Sequence, residues 1–447
     1  MRRSASALAL VALVTVACGQ YAGVHQRALE SGELTSSLGG QPGTAADGTA
    51  LDGTTTGTTG TGTTGTTGTG SAGGAGGTVD PSEQNVAGHT TTGVTASKIK
   101  IGIHAPLTGA APIAPVSFRD GKDLYWKGLK IHGRSVETVF RNDKYNPQHA
   151  VEVCREMVED EKVFLLIGGG GTDQIQACAN YAAQVGVPYL SAGVTEVGMN
   201  LGNYFALSMS YKQQIPILTN LIKQRFKPAG NRIAMVVTDT AYFDDARQAF
   251  QSAFPNARIF KHGKNEDGAS MAQNLCTGPS KNFDVVFPLV APLYYLEMAK
   301  AAKCTPQYVG VGVTMGLDTV ALNGCRADAS TSGAMFLSPA PAYVDSNKYD
   351  PQFRKAGGTD DIMFLLWGVS KGLHQLFDKV GKDLSRERFV ASTQEATVKT
   401  GVYPDLKYTP QNHFGAHQAH LLRNVCEGGN NGFYRTFKHW VTASTGF

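Results

Sequence analysis

Between Lys98 and Val311 short β-branched runs alternate with amphipathic helical stretches, and the pattern is run through twice. In the first pass strands are expected over Lys98–Ile103, Val136–Phe140, Val163–Ile167 and Pro188–Ser191, with helices over Arg119–Leu129, Pro147–Asp160 and Asp173–Gln184. Such alternation implies βαβ units, a parallel sheet and helices on both its faces. The second pass predicts helices over Gln213–Arg225, Asp244–Phe254, Met271–Cys276 and Tyr294–Lys303, and strands over Arg232–Val237, Arg258–Lys261, Val285–Leu289 and Tyr308–Val311. Two similar half-chains predict two similar α/β lobes, and 447 residues are enough for a proper core in each.

After Ala334 there remain one strand, a long helix over Asp361–Val380, a helix over Arg386–Ala396 and a strand-like stretch over Phe433–Lys438. These cannot build a third sheet of ordinary size. They are expected to return to the two lobes, and several crossings make a hinge. The expected fold is two doubly wound parallel-sheet lobes, with 94–211 and 334–395 forming the first and 212–333 and 396–447 the second.

Ahead of the lobes, Met1-Arg2-Arg3 is a charged start, Ala5 to Val16 an apolar run, and Thr15-Val16-Ala17-Cys18 follows. That run is too short to span a bilayer but suits a secretory signal peptide over 1–17. Small residues directly before a cysteine resemble a bacterial lipobox, in which Cys18 would receive the lipid; Thr15 stands where Leu is usual. The alternative is an ordinary signal peptide with an incidental cysteine. Residues 18–93 then read as a tether, since 39–77 are almost wholly Gly, Thr, Ala and Ser and cannot bury enough apolar surface to order themselves. A flexible coil of roughly 40 residues spans on the order of 35 Å.

The other six cysteines suit an oxidising compartment, and none forms a CxxC pair of the kind zinc sites use. Cys154 and Cys178 fall on the helices before and after one strand; Cys276 and Cys304 fall at the counterpart in the second pass. Helices flanking one strand of a parallel sheet can lie within bridging distance. The expected pairs are therefore 154–178 and 276–304, which leaves Cys325 with Cys426; unpaired buried thiols are the alternative.

The 40 basic and 36 acidic residues are interspersed, which speaks against a nucleic-acid partner. His413, His417 and His420 have helical metal-ligand spacing, but Gly415 and the strand-like run 419–425 place them on a loop and a strand, so no metal is expected. Nucleophile-elbow, HExxH and nucleotide-binding fingerprints do not occur in a fitting context, and neither catalysis nor a cofactor is expected.

Several motifs, in order, carry a resemblance. Ile101-Gly102-Ile103 is followed by Pro106-Leu107-Thr108-Gly109, then Asn142-Asp143 with Asn146-Pro147, and Ile167-Gly168 before a helix. Val187-Pro188-Tyr189-Leu190-Ser191 runs into Val194-Thr195, and Arg232-Ile233-Ala234 leads to Asp239 and Tyr242. From about Val94 to Lys438 the chain resembles the branched-chain amino-acid and amide type of periplasmic binding proteins, the type I fold. The resemblance implies a protein that closes around a small organic solute and passes it to ABC permease subunits, or uses the same closure to signal to a membrane partner.

Physical chemistry points to the same region. Ligands of open parallel sheets lie beyond the carboxyl ends of the strands, where Gly170 and Gly171 precede Thr172 at a helix start. Backbone N–H groups and the helix dipole there favour a carboxylate or carbonyl oxygen; a plain tight turn is the alternative. The resemblance adds Ser191, Gly193 and Thr195 as ligand contacts from the next loop and Tyr242 as a stacking aromatic; Phe243 and Phe118, nearby, are candidates for an apolar wall. It also places Gly312 where amino-acid binders carry an acid for the ammonium, and Ala291 where a second aromatic is frequent. A buried ammonium without a carboxylate is costly, so an organic acid, an amide or a larger apolar molecule with one polar end is as good an expectation as an amino acid.

Overall fold

The computed structural model describes residues 89–192, 201–229, 232–263, 266–276, 283–326, 330–427 and 431–447. The calls on Cys18, the signal peptide and the Gly/Thr tract lie outside them, as do Gly193 and Thr195; the last tether residues, 89–93, are described and belong to the first lobe, where the Thr90 carbonyl accepts Arg386 N–H at 3.0 Å and the Gly93 carbonyl accepts Lys100 N–H at 2.8 Å.

The first lobe opens with β1 (Lys98–Ala105), α1 (Pro115–Leu124), β2 (Ser135–Asn142), α2 (Pro147–Glu159), β3 (Leu165–Gly168), α3 (Thr172–Gln184), β4 (Tyr189–Ser191) and β5 (Tyr204–Ala206). Its sheet is ordered β2-β1-β3-β4-β5 and every neighbouring pair is parallel. The two-residue strand period sorts the apolar residues onto two faces. Ile99, Ile101, Ile103 and Ile167 pack towards Phe118, Trp126 and Phe377, while Leu166 and Tyr189 pack towards Met157, Ala179 and Ala182 of the helices opposite. α1 begins four residues earlier than expected because Pro115, whose missing N–H is harmless in a first turn, starts it.

The second lobe follows with α4 (Tyr211–Leu221), β6 (Ile233–Thr238), α5 (Asp244–Ala253), β7 (Arg258–His262), α6 (Gly268–Cys276), β8 (Val285–Leu289), α7 (Pro292–Ala301), β9 (Gln307–Val311), the short α8 (Gly312–Met315), α9 (Leu317–Arg326) and β10 (Met335–Ser338). Then come α10 (Ser346–Tyr349), α11 (Pro351–Lys355), α12 (Asp361–Val380), α13 (Arg386–Thr393), β11 (Thr397–Val398), β12 (Leu406–Lys407), β13 (Ala419–Glu427) and β14 (Asn431–Val441). The second sheet is ordered β14-β13-β10-β9-β8-β6-β7, parallel from β7 to β10 and antiparallel at β13 and β14.

Two of the expected boundaries do not coincide with the sheets. Residues from 334 on were expected in the first lobe, yet β10 pairs with β9 and β13 in the second sheet. Met335, Phe336 and Leu337 are apolar on both faces and buried, which is the demand of an interior strand. Residues from 396 on were expected in the second lobe, yet Tyr408 donates its hydroxyl to the Ala206 carbonyl at 3.1 Å and Ala206 N–H donates to the His413 carbonyl at 2.9 Å, both on the first. Only 419–441 returns. The described chain thus passes between the lobes near 207–210, 346–352 and 417–418.

All three expected disulfides are present, with Cα–Cα distances of 6.0 Å for Cys154–Cys178 and 5.4 Å for Cys276–Cys304 and Cys325–Cys426. The first two each join consecutive segments around one strand; the third joins α9 to β13.

Candidate ligand-binding site

A cavity of about 220 Å3 lies between the lobes, where the strand ends of both sheets face each other. That is room for a small organic molecule rather than for an ion. Most of its wall is apolar: Leu107, Ile113 and Phe118 come from the first lobe, Leu293 and Met315 from the second, and Leu365 from α12. Hydrogen bonds tie the lobes together around it. Leu293 N–H donates to the Ala110 carbonyl at 3.3 Å, and Asp318 N–H donates to Asp361 Oδ2 at 2.7 Å.

One polar end is built by the turn from β3 to α3. Gly170 takes φ +92°, and a Cβ there would overlap Pro106, so glycine is required. Gly171 caps α3 without a side-chain acceptor, and the helix begins at Thr172. First-turn amides lack intrahelical partners and carry the positive end of the helix dipole. Thr172 lines the cavity, is 5 % exposed, and its Oγ1 has no hydrogen-bond partner among the described residues. A buried hydroxyl left unpaired is costly.

Beneath that turn lies a buried chain of polar groups. His104 Nδ1 is 2.8 Å from Asp143 Oδ2, and its Nε2 is 2.7 Å from the Tyr189 hydroxyl; Tyr145 N–H donates to Asp143 Oδ1 at 3.0 Å. The assignment that satisfies every group has Nδ1 donating to Asp143 and Nε2 accepting from Tyr189. Gly168 rests directly on this pair, since a Cβ there would overlap the Tyr189 hydroxyl. His104 also approaches Cys154 and Cys178, but both sulfurs are taken up in their disulfide.

The opposite wall is acidic. Asp360 caps α12 through Met363 N–H at 2.8 Å and accepts the Ser117 hydroxyl at 2.9 Å. Asp318, at the start of α9, accepts Tyr434 N–H at 2.9 Å. Burial, with the Asp360 charge adding to it, pushes the Asp318 carboxyl up to about 6. Burial and then the Asp318 and Asp360 charges push Asp361 well above the usual carboxylate range.

Residues 98–430 match the family described as "Periplasmic binding protein". The chain belongs to that family. It is a family of binding proteins, not of enzymes. A periplasmic binding protein of this type is also what the solved structures show. A fatty acid ABC transporter substrate-binding protein from Thermomonospora curvata is 15 % identical, covers 80 % of this chain and 96 % of its own, and superposes with a TM-score of 0.66. A solute-binding protein from Rhodopseudomonas palustris, in complex with 3,4-dihydroxybenzoic acid, is 17 % identical over 78 % and 99 % of the two chains, at 0.63. A branched-chain amino acid transporter substrate-binding protein from Streptococcus pneumoniae, in complex with isoleucine, is 15 % identical over 76 % and 100 %, at 0.61. At such identities the likeness is one of fold. No curated protein sequence matches the chain.

Of the ligand contacts expected for a periplasmic binding protein, Phe118, Gly170, Gly171, Thr172 and Gly312 line the cavity together. Ser191 is fully buried at the end of β4 behind Ala192, which does line it. Ala291 caps α7, whose next residues Pro292 and Leu293 reach the cavity instead. Tyr242 is 36 % exposed on a turn and is not part of the lining; Phe243 packs edge-on against Tyr211, which is. The sequence reading missed the carboxylates altogether. Gly312 does stand at the cavity, and Asp318, Asp360 and Asp361 line it as well. Asp360 followed by an apolar helix reads as a cap, and nothing local shows that α12 aims its start into the cleft.

Proposed function

We propose that the chain is the lipid-anchored solute-binding component of an ABC importer, and that its ligand is a small organic acid or amide with a largely apolar body. The observation that carries this reading is the apolar cavity ending at the unpaired Thr172 hydroxyl and the start of α3. A carboxylate or amide carbonyl at that end meets backbone amides, a helix dipole and a hydroxyl, and its body meets the apolar wall. The fatty acid, dihydroxybenzoic acid and isoleucine named for the similar structures are all carboxylic acids, which supports the same choice. The ligand bridges both lobes and stabilises the closed form by its differential affinity for it.

Mass spectrometry of protein purified under native conditions identifies the ligand, and calorimetry with decanoate, benzoate and isoleucine ranks the classes. Thr172→Val keeps the side-chain volume and removes the hydroxyl. It is expected to weaken the tightest of these by about 1–3 kcal/mol, roughly fivefold to more than a hundredfold. Unchanged affinity in a folded variant would place the ligand's polar end elsewhere.

The anchor is tested separately. Wild-type protein is expected to begin at an acylated Cys18 by mass spectrometry, and Cys18→Ser to lose the acyl chains and the membrane association they give. A mature chain beginning elsewhere, without lipid, removes the anchor and leaves the binding reading intact.

A further inference from the structure

The cavity does not end at its acidic wall. A much smaller recess of about 20 Å3 adjoins it, and Met315, Leu317, Asp318, Ser338, Asp361 and Leu365 line both spaces. Ala342, Tyr343, Leu422 and Tyr434 close the recess from the second lobe, and Phe364 closes it from α12. By volume it holds about one water or one methyl group.

The polar groups around the recess are taken up within the protein. The Ser338 hydroxyl donates to the Ala340 carbonyl at 2.7 Å, the Tyr434 hydroxyl donates to the Met315 carbonyl at 3.0 Å, and the Arg354 guanidinium donates to the Tyr343 hydroxyl. Asp361 Oδ2 accepts Asp318 N–H, and its Oδ1 accepts Ile362 N–H at 2.7 Å. What remains for a guest is apolar surface, so the recess suits the end of a hydrocarbon chain and not a polar group.

Of the residues that line both spaces, Leu317 is the one in a left-handed backbone conformation. It takes φ +57°, directly after Gly316 at φ +59°, where a Cβ would overlap Val320 and Pro292. A large side chain is held in that region only where its surroundings impose it, and such positions gather at ligand sites. Leu317 also packs against two separate apolar clusters, the core shared by the lobes and the one that holds Phe336, Leu422 and Tyr434.

We propose that Leu317 is the partition of a two-chamber site: it shuts the recess off from the cavity and so limits the length of hydrocarbon that the ligand carries. This rests on the reading that the cavity holds the ligand's apolar body, whatever its polar group. Leu317→Ala deletes three side-chain carbons from the wall and joins the chambers. Each methylene that the joined space newly buries strengthens binding by about fourfold.

Calorimetry with the straight-chain carboxylates from hexanoate to tetradecanoate reads the limit. In wild-type protein affinity is expected to rise along the series and then fall. In Leu317→Ala the turning point is expected to move out by about two or three carbons, with the acids just past the wild-type limit bound roughly tenfold to fiftyfold more tightly. Leu317→Gly, which suits the left-handed backbone, is a second opening variant should the alanine variant fail to fold. Leu317→Met keeps most of the volume and is expected to leave the limit in place. Ala342→Val fills the recess without touching the cavity wall. Alone it is expected to leave the series unchanged, and combined with Leu317→Ala it is expected to restore the wild-type limit.

A folded opening variant that keeps the wild-type limit overturns the partition and leaves the reading of the cavity intact. So does a gain that survives Ala342→Val. Wild-type protein that binds none of the acids overturns the acid reading instead, and xenon then decides the partition. In crystals of Leu317→Ala under xenon pressure, density is expected to continue from the cavity into the recess, whereas in wild type it stops at Leu317. Xenon confined to the cavity in both overturns the partition.

Discussion

His104→Leu is expected to lower stability by about 3–5 kcal/mol, read as a fall in the urea midpoint followed by fluorescence. Leucine fills most of the imidazole volume, so packing is largely kept. What it removes is the only group that answers both the Asp143 carboxylate and the Tyr189 hydroxyl on their shared side. His104 and Asp143 are fully buried, and no water reaches them to take over. Tyr189→Phe is the control. It deletes one hydrogen bond and leaves His104 with Asp143, so a loss of about 1 kcal/mol is expected. Equal losses in the two variants would mean that packing, not the stranded carboxylate, sets the cost. Because Gly168 rests on the Tyr189 hydroxyl and leads into Gly170 and Thr172, the leucine variant is also expected to bind decanoate, benzoate and isoleucine more weakly than wild type in calorimetry.

The second large effect belongs to the Cys325–Cys426 bridge. It spans 101 residues, against 24 and 28 for the other two. Chain-entropy reasoning gives about 4.7 kcal/mol for a loop of that length and about 3.5 kcal/mol for the shorter ones. Paired alanine substitutions at each bridge are therefore expected to order with 325–426 as the most destabilising. Its two ends also hold α9 against β13, and Asp318 starts α9, so this variant is the one expected to loosen the acidic wall of the cavity. A larger loss at either short bridge would show that native-state packing outweighs loop closure here.

The parallel sheets were readable from the sequence because their strands bring their own signal. β8 and α12 fall over Val285–Leu289 and Asp361–Val380 as expected, each a run whose length and flanks leave no other reading. The disulfides followed from the same periodicity. The division between lobes did not, since β10 could serve either sheet by its apolarity alone and its place was decided by pairing with β9. β5, β11 and β12 have only two or three residues each, too few for a period to show. At the cavity, the glycines and Thr172 could be singled out because a strand–glycine–helix turn sets backbone amides and a helix start at the carboxyl end of a parallel sheet. The carboxylates were not, because Asp318 and Asp361 stand 43 positions apart and acquire meaning only when the two lobes face each other.

The three passages of the chain between the lobes also bear on the order in which this molecule can assemble. The first five-stranded sheet is complete by Ala206, yet part of the cover of its inner face, α12, arrives only at Asp361–Val380. The second sheet cannot add its last two strands until Ala419–Val441 has emerged. Both lobes must therefore wait, with apolar surface uncovered, for segments made long after their first strands. Such a chain folds late and is exposed to aggregation in the interval, so its yield is set by how well that unfinished state is shielded during synthesis.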